Sequence, residues 1–557
     1  MKPTYYHKLR WIVKEEYQSV LSSYTLDQVI NLEGIEEHKI VRTLPSRTVR
    51  YLKPSSTEIP ALYLKEYHLP TFFDSIKTLF FSPAEREWCA AQKVTQRNVP
   101  TFTPLAVGKF RRCGLLKKNY LISKSIDNAK SLKEYTHHYY LSQTISDVPE
   151  RRKVIIALAK FVKDLHQKGI FHRDFHWGNI LIEKAKQGAL HFYLMDLHRV
   201  KLKSKLTDRQ KIKNLSSLNT GFSHKSRRAE RLRFLKAYAE ENERWESHYP
   251  HFARLIEKMT DKMMVKLWHK RGKRCVKKNK YFAPFKSGTY KGSINRDFYS
   301  PELLGLLYNP DQAFSESLCT IIKDSHTTSS CFMPLQIAGE KFEFYIKRYN
   351  YQNIFYALKN LFRISRGKRV WKVANGLLSR TIPFPLPIAF LEQRKAGFLI
   401  KSFFITQKID HSIPLITLFQ KGLSNAPTET AKIKNELLHQ GAHILRRMHE
   451  RGIRHGDLKA SNILVQKRLN GKDHLYLIDL DSTRIKRKIT DKDRAKDLAR
   501  LNASLLDTKT ISTPDRLKFL KYYLNIRRTR NQKVREYWKT VAYQTHKKLK
   551  KSGRKFI

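Results

Sequence analysis

Apolar and polar positions alternate along the chain in a way that predicts one helix and one strand pair in each half. Five apolar residues of the stretch 153–168 fall on one face of a helix: Val154, Leu158, Phe161, Val162 and Leu165. Gly169 is expected to end this helix, as Gly452 does in the second half. The runs "NILIE" and "HFYLMD", and later "NILVQ" and "HLYLID", then predict short strands around polar turns.

The flanking segments extend the same pattern. "ALYLKEYH" and "FEFYIKRY" alternate as strands do, and each precedes a helical stretch and a proline-containing segment, "PTFTPLA" or "PFPLPIA". Thr207–Asp208 and Thr490–Asp491 have the composition of helix N-caps. Each half is therefore predicted to have a strand-rich first part and a helix-rich second part, which makes the fold class α+β.

The two halves are also similar in sequence. "DLHQKGIFHRDFHWGNILIE" (164–183) matches "RMHERGIRHGDLKASNILVQ" (447–466), and "RLRFLKAYAE" (231–240) matches "RLKFLKYYLN" (516–525). The first of these offsets is 283 residues and the second is close to it. Two long matching units indicate a tandem duplication and not an array of short repeats.

Charge is the unusual feature of the composition. Lys and Arg number 109 against 49 Asp and Glu, a formal charge of +60 over 557 residues. Such an excess favours a polyanionic partner, which can be nucleic acid, an anionic membrane surface or an anionic glycolipid. Nucleic acid is not favoured, because the sequence has no zinc finger and no RRM-like aromatic motif.

Other global features limit the location. The five cysteines are scattered without a CxxC pair, which fits a reducing cytosol better than a disulfide or zinc scaffold. The first residues, "MKPTYYHKLRWIVKEEY", contain no apolar region of a secretory signal. Apolar runs such as "FLIKSFFITQ" are short and interrupted by Lys, so no bilayer-spanning segment is expected.

A spacing of polar residues recurs in both halves and predicts chemistry. The pattern is His-x-Asp-x-x-x-x-Asn, followed by an Asp at the end of an apolar strand. Its members are His172, Asp174, Asn179 and Asp196 in the first copy, and His455, Asp457, Asn462 and Asp479 in the second. The first Asp can accept or orient a hydroxyl proton, while the Asn and the second Asp can hold Mg²⁺ against nucleotide phosphates, as in a kinase catalytic loop.

Residues on an early strand complete this hypothesis. Lys65 and Lys347 lie in the predicted strands and are expected to bind the α- and β-phosphates of ATP. Only ten residues separate each strand-terminal Asp from the next helix cap, and no Ala-Pro-Glu-like segment follows. A protein-kinase activation loop needs more residues, so small-molecule or glycolipid hydroxyls are favoured as acceptors over protein substrates.

The segments "YLKEY", "HRDFHWGNIL", "YLMDLHRVKL" and "RLRFLKAY" resemble the lipopolysaccharide kinase family, which includes the Kdo kinases and the core-heptose kinases. The resemblance covers about residues 30–240 and 265–530. It implies a protein-kinase-like fold, ATP with Mg²⁺, and phosphorylation of a Kdo or heptose hydroxyl of the lipid A–core. It also implies a cytoplasmic protein held peripherally at the cytoplasmic face of the inner membrane, and the basic charge agrees with such an anionic surface.

This resemblance gives the expected domains: residues 1–245 (N-lobe about 30–120, C-lobe about 121–245) and residues 246–557 (linker and N-lobe about 246–403, C-lobe about 404–540, basic tail 541–557).

The copies differ where kinases brace the strand lysine with a helix Glu. The first copy offers Glu87, with Glu85 as the second choice, whereas Val370 occupies the matching position of the second copy. No Asp or Glu occurs between Glu343 and Glu392. Gly456 stands where the first copy has Arg173, and the second copy alone has Lys459, which can neutralise γ-phosphate charge. These differences favour the first copy as the main catalytic unit.

Several alternatives remain open. The second copy is either a kinase for another hydroxyl or a nucleotide-binding partner with weak turnover. The whole chain can instead be a RIO- or aminoglycoside-kinase-like enzyme for another small molecule, or a tandem pseudokinase that binds membrane or glycolipid. No glycine-rich loop is readable, since "YLKPSSTE" (51–58) lacks glycine and "QIAGEKF" (336–342) has one. The groups that contact the ATP phosphates are therefore expected to be backbone groups, Ser55 and Ser56, or residues elsewhere in the chain.

Overall fold

A computed structural model gives the architecture of the chain. It describes every residue except 1–3, 7–8, 20, 45, 56–57, 70–77, 79–80, 137–147, 186, 316–318, 352–362, 424–425, 468–472, 509, 527–530, 552 and 554–557. The described residues form two compact units, Met1–Val265 and Lys266–Ile557. Ser56, one of the residues expected to cover phosphates, lies outside the described residues.

The first unit begins with a seven-stranded antiparallel sheet and continues with small two- and three-stranded sheets. Its strands are β1 Thr4–Tyr6, β2 Leu9–Val13, β3 Ile35–Leu44, β4 Arg47–Pro54, β5 Leu62–Tyr67, β6 Pro104–Arg112, β7 Leu115–Lys124, β8 Lys130–Ser131, β9 Ile170–His172, β10 Ile180–Lys184, β11 Leu190–Leu194 and β12 Val200–Leu202. The large sheet has the order β1-β2-β6-β7-β5-β4-β3.

The second unit repeats this arrangement strand for strand. Its strands are β13 Phe282–Ser287, β14 Tyr290–Asn295, β15 Thr320–Lys323, β16 Thr328–Ile337, β17 Glu340–Asn350, β18 Pro387–Lys395, β19 Phe398–Gln407, β20 Ser412–Pro414, β21 Ile453–Arg454, β22 Ile463–Gln466, β23 His474–Leu477 and β24 Arg484–Ile485. Its large sheet, β13-β14-β18-β19-β17-β16-β15, has the same order as the first. Each unit thus has the predicted strand-rich first part.

Helices dominate the rest of each unit. They are α1 Ser23–Asn31, α2 Pro83–Thr95, α3 Val148–Gln167, α4 Asp208–Phe222, α5 Arg228–Ala239, α6 Glu243–Ser247, α7 Tyr249–Arg274, α8 Pro301–Tyr308, α9 Arg366–Ser379, α10 Leu415–Lys421, α11 Pro427–Glu450, α12 Asp491–Ser504, α13 Thr513–Leu524 and α14 Gln532–Lys551. The α+β prediction for two tandem domains, each with a strand-rich N-lobe and a helical C-lobe, is therefore confirmed.

The local signals in the sequence explain where key helices start and stop. Thr207 and Thr490 are the N-caps of α4 and α12, and the Thr207 hydroxyl accepts a hydrogen bond from the backbone N–H of Gln210. Gly169 and Gly452 follow α3 and α11 with φ of +70° and +77°, a left-handed conformation that favours glycine. These caps fix the ends of the helices on either side of the catalytic-loop segment.

The apolar face of α3 packs into the core of the first unit as its spacing predicts. Val154, Leu158, Val162 and Leu165 are buried there, whereas Phe161 is half-buried at the edge. At roughly 1.5–3 kcal/mol for each fully buried aliphatic side chain, this face anchors the helix and with it the loop that follows.

The structure divides the chain inside α7, after the expected boundary at residue 245. The segment expected to be a basic tail from residue 541 continues α14 as far as Lys551, and Thr545 and Leu549 are buried on one side of it. Lysines occupy its exposed positions, so the charge run is the solvated face of a packed helix.

Candidate functional site

In the first unit the strand lysine and the helix carboxylate form a buried pair. Lys65 on β5 lies with its Nζ 2.6 Å from Oε1 of Glu87 on α2, and the Glu87 side chain is fully buried. The Tyr67 hydroxyl donates a hydrogen bond to the other carboxylate oxygen. Burial opposes ionisation of Glu87, but the Lys65 ammonium and these hydrogen bonds lower its pKa below the ordinary value.

Glu85, the second choice for this role, does different work. Its carboxylate accepts a hydrogen bond from the backbone N–H of Ser82 in a capping box at the start of α2, and it pairs with Lys109. The structure therefore places Glu87, and not Glu85, beside Lys65.

Asp196 lies close to this pair in the first unit. It has φ of +62° at the end of the strand that precedes it, and the Arg47 guanidinium donates to both of its carboxylate oxygens at 2.7 and 3.1 Å. Nδ1 of His198 is 2.8 Å from Oδ1. Burial opposes ionisation, but the hydrogen bonds from His198 and Arg47 outweigh it, so the pKa of Asp196 is well below its usual range.

The catalytic-loop segment of the first unit is held by its histidine. Nε2 of His172 contacts the carbonyl of Met195 at 3.1 Å, and the backbone N–H of Asp174 donates to Nδ1 at 3.1 Å. Asn179 donates its Nδ2 to the carbonyl of Asp174 at 2.9 Å. The Asp174 side chain remains 51% exposed, so its carboxylate is accessible to an acceptor.

The second unit pairs its strand lysine differently. Nζ of Lys347 on β17 lies 3.0 Å from Asp479 and 2.8 Å from Asp481, the residue two positions later. The Tyr349 hydroxyl donates to the second oxygen of Asp481 at 2.8 Å. Burial opposes the charge on Lys347, but Asp481 and Asp479 raise its pKa above the ordinary value.

The structure thus agrees that α9 supplies no carboxylate to Lys347, since Val370 is buried at the position of Glu87. The carboxylate that pairs with Lys347 is Asp481, which comes from the segment after β23. The sequence held one signal for this: His198 and Asp481 occupy the same place in "DLH" and "DLD". The replacement of a histidine by a carboxylate at this position matters because His198 and Asp481 each lie two residues after the predicted metal ligand.

The catalytic loop of the second unit repeats most contacts of the first. Asn462 donates its Nδ2 to the carbonyl of Asp457 at 2.8 Å, and Nε2 of His455 contacts the carbonyl of Ile478 at 3.1 Å. Lys459 lies 2.9 Å from the carboxylate of Asp457, which is 31% exposed. The acceptor face of this loop therefore carries a cation beside the predicted catalytic carboxylate.

Comparison with known proteins identifies what this double site belongs to. The model of the lipopolysaccharide kinase (Kdo/WaaP) family matches residues 58–238 and again residues 344–523, which is more than half of the chain. The chain belongs to the lipopolysaccharide kinase family. Each matched segment contains the strand lysine, the loop Asp and Asn and the strand-terminal Asp of its unit, so both units are members.

Individual relatives agree with this assignment. The chain is 27% identical over 223 residues to the lipopolysaccharide core heptose(I) kinase WaaP of Escherichia coli, a match that covers 37% of this chain and 82% of that protein. It is 31% identical over 134 residues to the 3-deoxy-D-manno-octulosonic acid kinase of Actinobacillus succinogenes, covering 23% of this chain and 51% of that protein. A solved structure, WaaP in complex with acyl carrier protein, matches with a TM-score of 0.35 and 17% identity over 45% of this chain and 98% of that chain.

Membership makes the chain a phosphotransferase that acts on an alcohol group, and the two lobes of each unit are those of a protein-kinase-like fold. Kinases of this family imply ATP as the phosphoryl donor. Among the residues that the structure describes, none of the helices combines the length and apolarity that crossing a bilayer requires.

The predicted Mg²⁺ ligands in each lipopolysaccharide kinase unit fit such an ion. Asn179 and Asn462 donate hydrogen bonds from Nδ2 to the loop carbonyls of Asp174 and Asp457, so the Oδ1 atoms are available as metal ligands. The backbone N–H of Met195 donates to the carbonyl of Asn179, and this contact ties the Asn to the strand that ends at Asp196. Carboxylate and amide oxygens are the hard ligands that Mg²⁺ prefers, so these donor atoms fit the ion, which would compete with Arg47 for Asp196 and with Lys347 for Asp479.

Sequence reasoning missed Arg47, Asp481 and Asp497. Asp497 on α12 accepts hydrogen bonds from the backbone N–H groups of His455 at 2.7 Å and Gly456 at 3.0 Å, and it lies 3.3 Å from His449. In the first unit Asn214 occupies this place and exchanges hydrogen bonds with the backbone of His172. The sequence gave no signal for Asp497, because this residue lies on α12 and the loop that it holds is about forty residues away along the chain.

Proposed function

We propose that this lipopolysaccharide kinase transfers the γ-phosphoryl group of ATP, with Mg²⁺, to a Kdo or heptose hydroxyl of the lipid A–core. We further propose that the first unit is the main catalytic unit. The observation that carries the proposal is the pair Lys65–Glu87, already formed and buried next to Asp196, in a unit whose Asp174 is half exposed. Preorganised charge of this kind lowers the cost of reaching the transition state.

Each residue has a role that follows from its place. Lys65, held by Glu87, would bind the nucleotide phosphates, and Asn179 and Asp196 would hold the metal. When bound, ATP would supply the phosphoryl group and Mg²⁺ would neutralise the charge of its phosphates. Asp174 would orient the acceptor hydroxyl and take its proton, because its carboxylate is half exposed and its backbone N–H is held by His172.

The second unit offers the same set as Lys347, Asp457, Asn462 and Asp479, with Lys459 beside the catalytic carboxylate. Lys459 is exposed and close enough to Asp457 to reach a phosphate placed next to it. It would neutralise γ-phosphate charge there, whereas His176 occupies the matching position in the first unit.

The acceptor is supported by the charge of the chain. The phosphates and acidic sugars of lipid A–core are anionic, and a formal charge of +60 attracts them. The same charge would hold the protein peripherally on the anionic cytoplasmic face of the inner membrane.

A cavity in the first unit supports an acceptor that carries acyl chains. It has a volume of about 580 Å³ and lies among α3, α4, α5 and α7. Apolar side chains such as Leu158, Leu218 and Phe234 line most of it, and Arg151 and Arg254 are among its polar residues. Glu230 and Glu257 also line the cavity, and Arg151 lies 3.6 Å from Glu230, so it is the apolar interior that fits a lipid chain.

Single substitutions in the full chain test the proposal. We expect Asp174→Asn to lower ATP-dependent phosphorylation of Kdo–lipid A or of a heptose-containing core about a hundredfold or more, since it removes the proton acceptor. Asp457→Asn should lower it less. Asp127→Asn, an exposed carboxylate in the same unit, is the matched control.

Phosphate incorporation is measured by mass spectrometry of the acceptor. A larger loss in Asp457→Asn than in Asp174→Asn would reverse the ranking of the two units. Full activity in both variants would refute the assignment of these residues.

A further inference from the structure

Each unit has a lysine paired with a carboxylate, but the carboxylate comes from a different segment of the chain in the second unit. In the first unit the carboxylate is Glu87 of α2, and position 198 is a histidine. In the second unit position 370 of α9 is Val, and the matching position after the metal-site Asp is Asp481. The carboxylate has moved from the helix to the segment after β23.

The moved carboxylate makes the contacts of the original one. Asp481 binds Lys347 at 2.8 Å through one oxygen and accepts the Tyr349 hydroxyl at 2.8 Å through the other. Glu87 likewise binds Lys65 through one oxygen and Tyr67 through the other. In both units the tyrosine lies two residues after the lysine on the same strand, so each unit has one lysine, one tyrosine and one carboxylate in contact.

The first turn of α9 in the second unit also contacts Asp481. Arg366 at the start of α9 lies 3.1 Å from Oδ2 of Asp481, and Arg369 donates to the backbone carbonyl of Asp481 at 2.9 Å. The helix that supplies a carboxylate in the first unit therefore supplies guanidinium groups in the second. Arg366 therefore contacts the Asp481 carboxylate, and Arg369 fixes the backbone of the same residue.

The second carboxylate at Lys347 also has a distinct use. Lys347 contacts both Asp479 and Asp481, and Asp479 is the predicted metal ligand. An oxygen of Asp479 that binds a cation is no longer available to Lys347. Asp481 then still pairs with the ammonium, whose side chain is only 17% exposed, so its charge stays compensated.

We propose that Asp481 is the positioning residue for Lys347 and that the second unit is a nucleotide-binding site in its own right, rebuilt by relocation of one carboxylate. This proposal rests on the proposed function of the chain as an ATP-dependent kinase, and it deepens that function by assigning the nucleotide contact of the second unit. The ligand is a nucleoside triphosphate, bound through its phosphates by a lysine that Asp481 orients.

The test measures nucleotide binding in the full chain with an Asp196→Ala background, which removes the metal ligand of the first unit. Calorimetric titration with ATP, with Mg²⁺ and with EDTA, should then report the second site. We expect Asp481→Asn to weaken ATP binding about tenfold, since it removes a charge-assisted hydrogen bond to Lys347.

A relocated carboxylate should rescue the site. Val370→Glu together with Asp481→Asn places a carboxylate on α9 as in the first unit, and we expect affinity within about threefold of the background. Val370→Gln together with Asp481→Asn is the matched control, because it differs from the rescue variant only in charge and should stay weak. A rescue that depends on charge is not expected if Asp481 only stabilises the fold.

Each result decides the matter. Absence of ATP binding in the Asp196→Ala background, unchanged binding in Asp481→Asn, or equal binding by the two double variants would overturn the proposal. If Asp481→Asn alone unfolds the unit, as seen by circular dichroism, the two double variants still decide. Failure here is distinct from failure of the proposed function, which is read from phosphate transfer in the Asp174→Asn variant of the otherwise unchanged chain.

Discussion

One glycine shapes the second catalytic loop. Gly456 has φ of +82°, and a Cβ added to it would lie 2.5 Å from the carbonyl oxygen of Ser482. Its N–H donates to Asp497 at 3.0 Å, whereas the N–H of Arg173 in the first unit donates to the carbonyl of Arg199. Gly456 is therefore required by a different loop backbone, and its presence is no sign that the second site has decayed.

Replacement of this glycine should be costly. We expect Gly456→Ala to lower the free energy of unfolding of the second unit by about 1–3 kcal/mol, because it forces a side chain into a left-handed conformation against a backbone carbonyl. Denaturant unfolding measures the change. Gly305→Ala, in α8 with no atom within 4 Å of the added Cβ, is the control and should be neutral or slightly stabilising. Equal stability of the two variants would contradict this account.

A buried histidine behind the first catalytic loop predicts a pH dependence. Burial lowers the pKa of His166 to about 3, and its ring contacts the Tyr238 hydroxyl at 2.8 Å and Asn214 at 3.3 Å. The unfolded chain protonates this ring near pH 6.5, but the folded chain does not until about pH 3. Because the unfolded state binds the extra proton, stability falls as the pH drops below 6.5.

We expect this single group to cost the first unit about 1.4 kcal/mol per pH unit between pH 6 and 5. Urea unfolding at several pH values measures the slope. The slope should decrease in His166→Gln, which keeps hydrogen-bonding groups but does not titrate, and should persist in His191→Gln, an exposed histidine of the same unit. An unchanged slope in His166→Gln would show that other groups cause it.

At the scale of elements, the hairpin between β3 and β4 is the part of the sheet that reaches the metal-site carboxylate. Its connection has no glycine, and Arg47 begins β4 and binds Asp196 through both guanidinium nitrogens. Arg47 pairs across the sheet with Tyr67, as Thr328 of β16 pairs with Tyr349. Residues 51–58 join β4 to β5 and residues 336–342 join β16 to β17, so these two segments lie at the opposite end of the sheet.

We therefore expect Arg47 to bind the phosphates of ATP in the first unit. We expect Arg47→Met to raise the KM for ATP about tenfold with a smaller change in kcat, because a guanidinium binds phosphate oxygens with two hydrogen bonds. Steady-state kinetics of the full chain measure the split. Arg50→Met, on the same strand but paired with Glu66, is the control. A lower KM for ATP in Arg47→Met would mean that the Arg47–Asp196 pair blocks the site.

At the scale of the whole molecule, the formal charge of +60 is the feature that determines which partners the protein attracts. Both units are basic, and some of their carboxylates are paired within the two sites: Glu87 and Asp196 in the first, and Asp479 and Asp481 in the second. The remaining cations repel one another unless an anionic partner is present. Binding to a surface of lipid A or anionic phospholipid is thus expected to stabilise the protein.

This charge gives a measurable salt dependence. We expect the full chain to bind vesicles that contain lipid A or phosphatidylglycerol at low ionic strength and to lose most of this binding as NaCl rises from 50 to about 500 mM, since screening shortens the range of surface electrostatics. Vesicle sedimentation measures bound protein, with phosphatidylcholine vesicles as the control. Equal binding to neutral vesicles would show that charge does not drive the association.

The sequence by itself determined the features that depend on neighbours along the chain. The alternation in "ALYLKEYH", the helical spacing that begins at Val154, and the caps at Thr207 and Thr490 are short-range patterns, and the structure has the predicted elements at each. The duplication was readable for the same reason, because matching segments keep their order and spacing. Lys65 and Glu87 were predicted together because strand and helix are adjacent in sequence.

Only the tertiary structure decided which distant groups meet. Asp481 reaches Lys347 across 134 residues, and Arg47 reaches Asp196 across 149. Such pairs form where two lobes fold against each other, and a buried charge takes whichever partner the packing brings within hydrogen-bonding distance. The sequence therefore showed that the helix supplies no carboxylate to Lys347, whereas the tertiary structure shows that Asp481, from the segment after β23, supplies one.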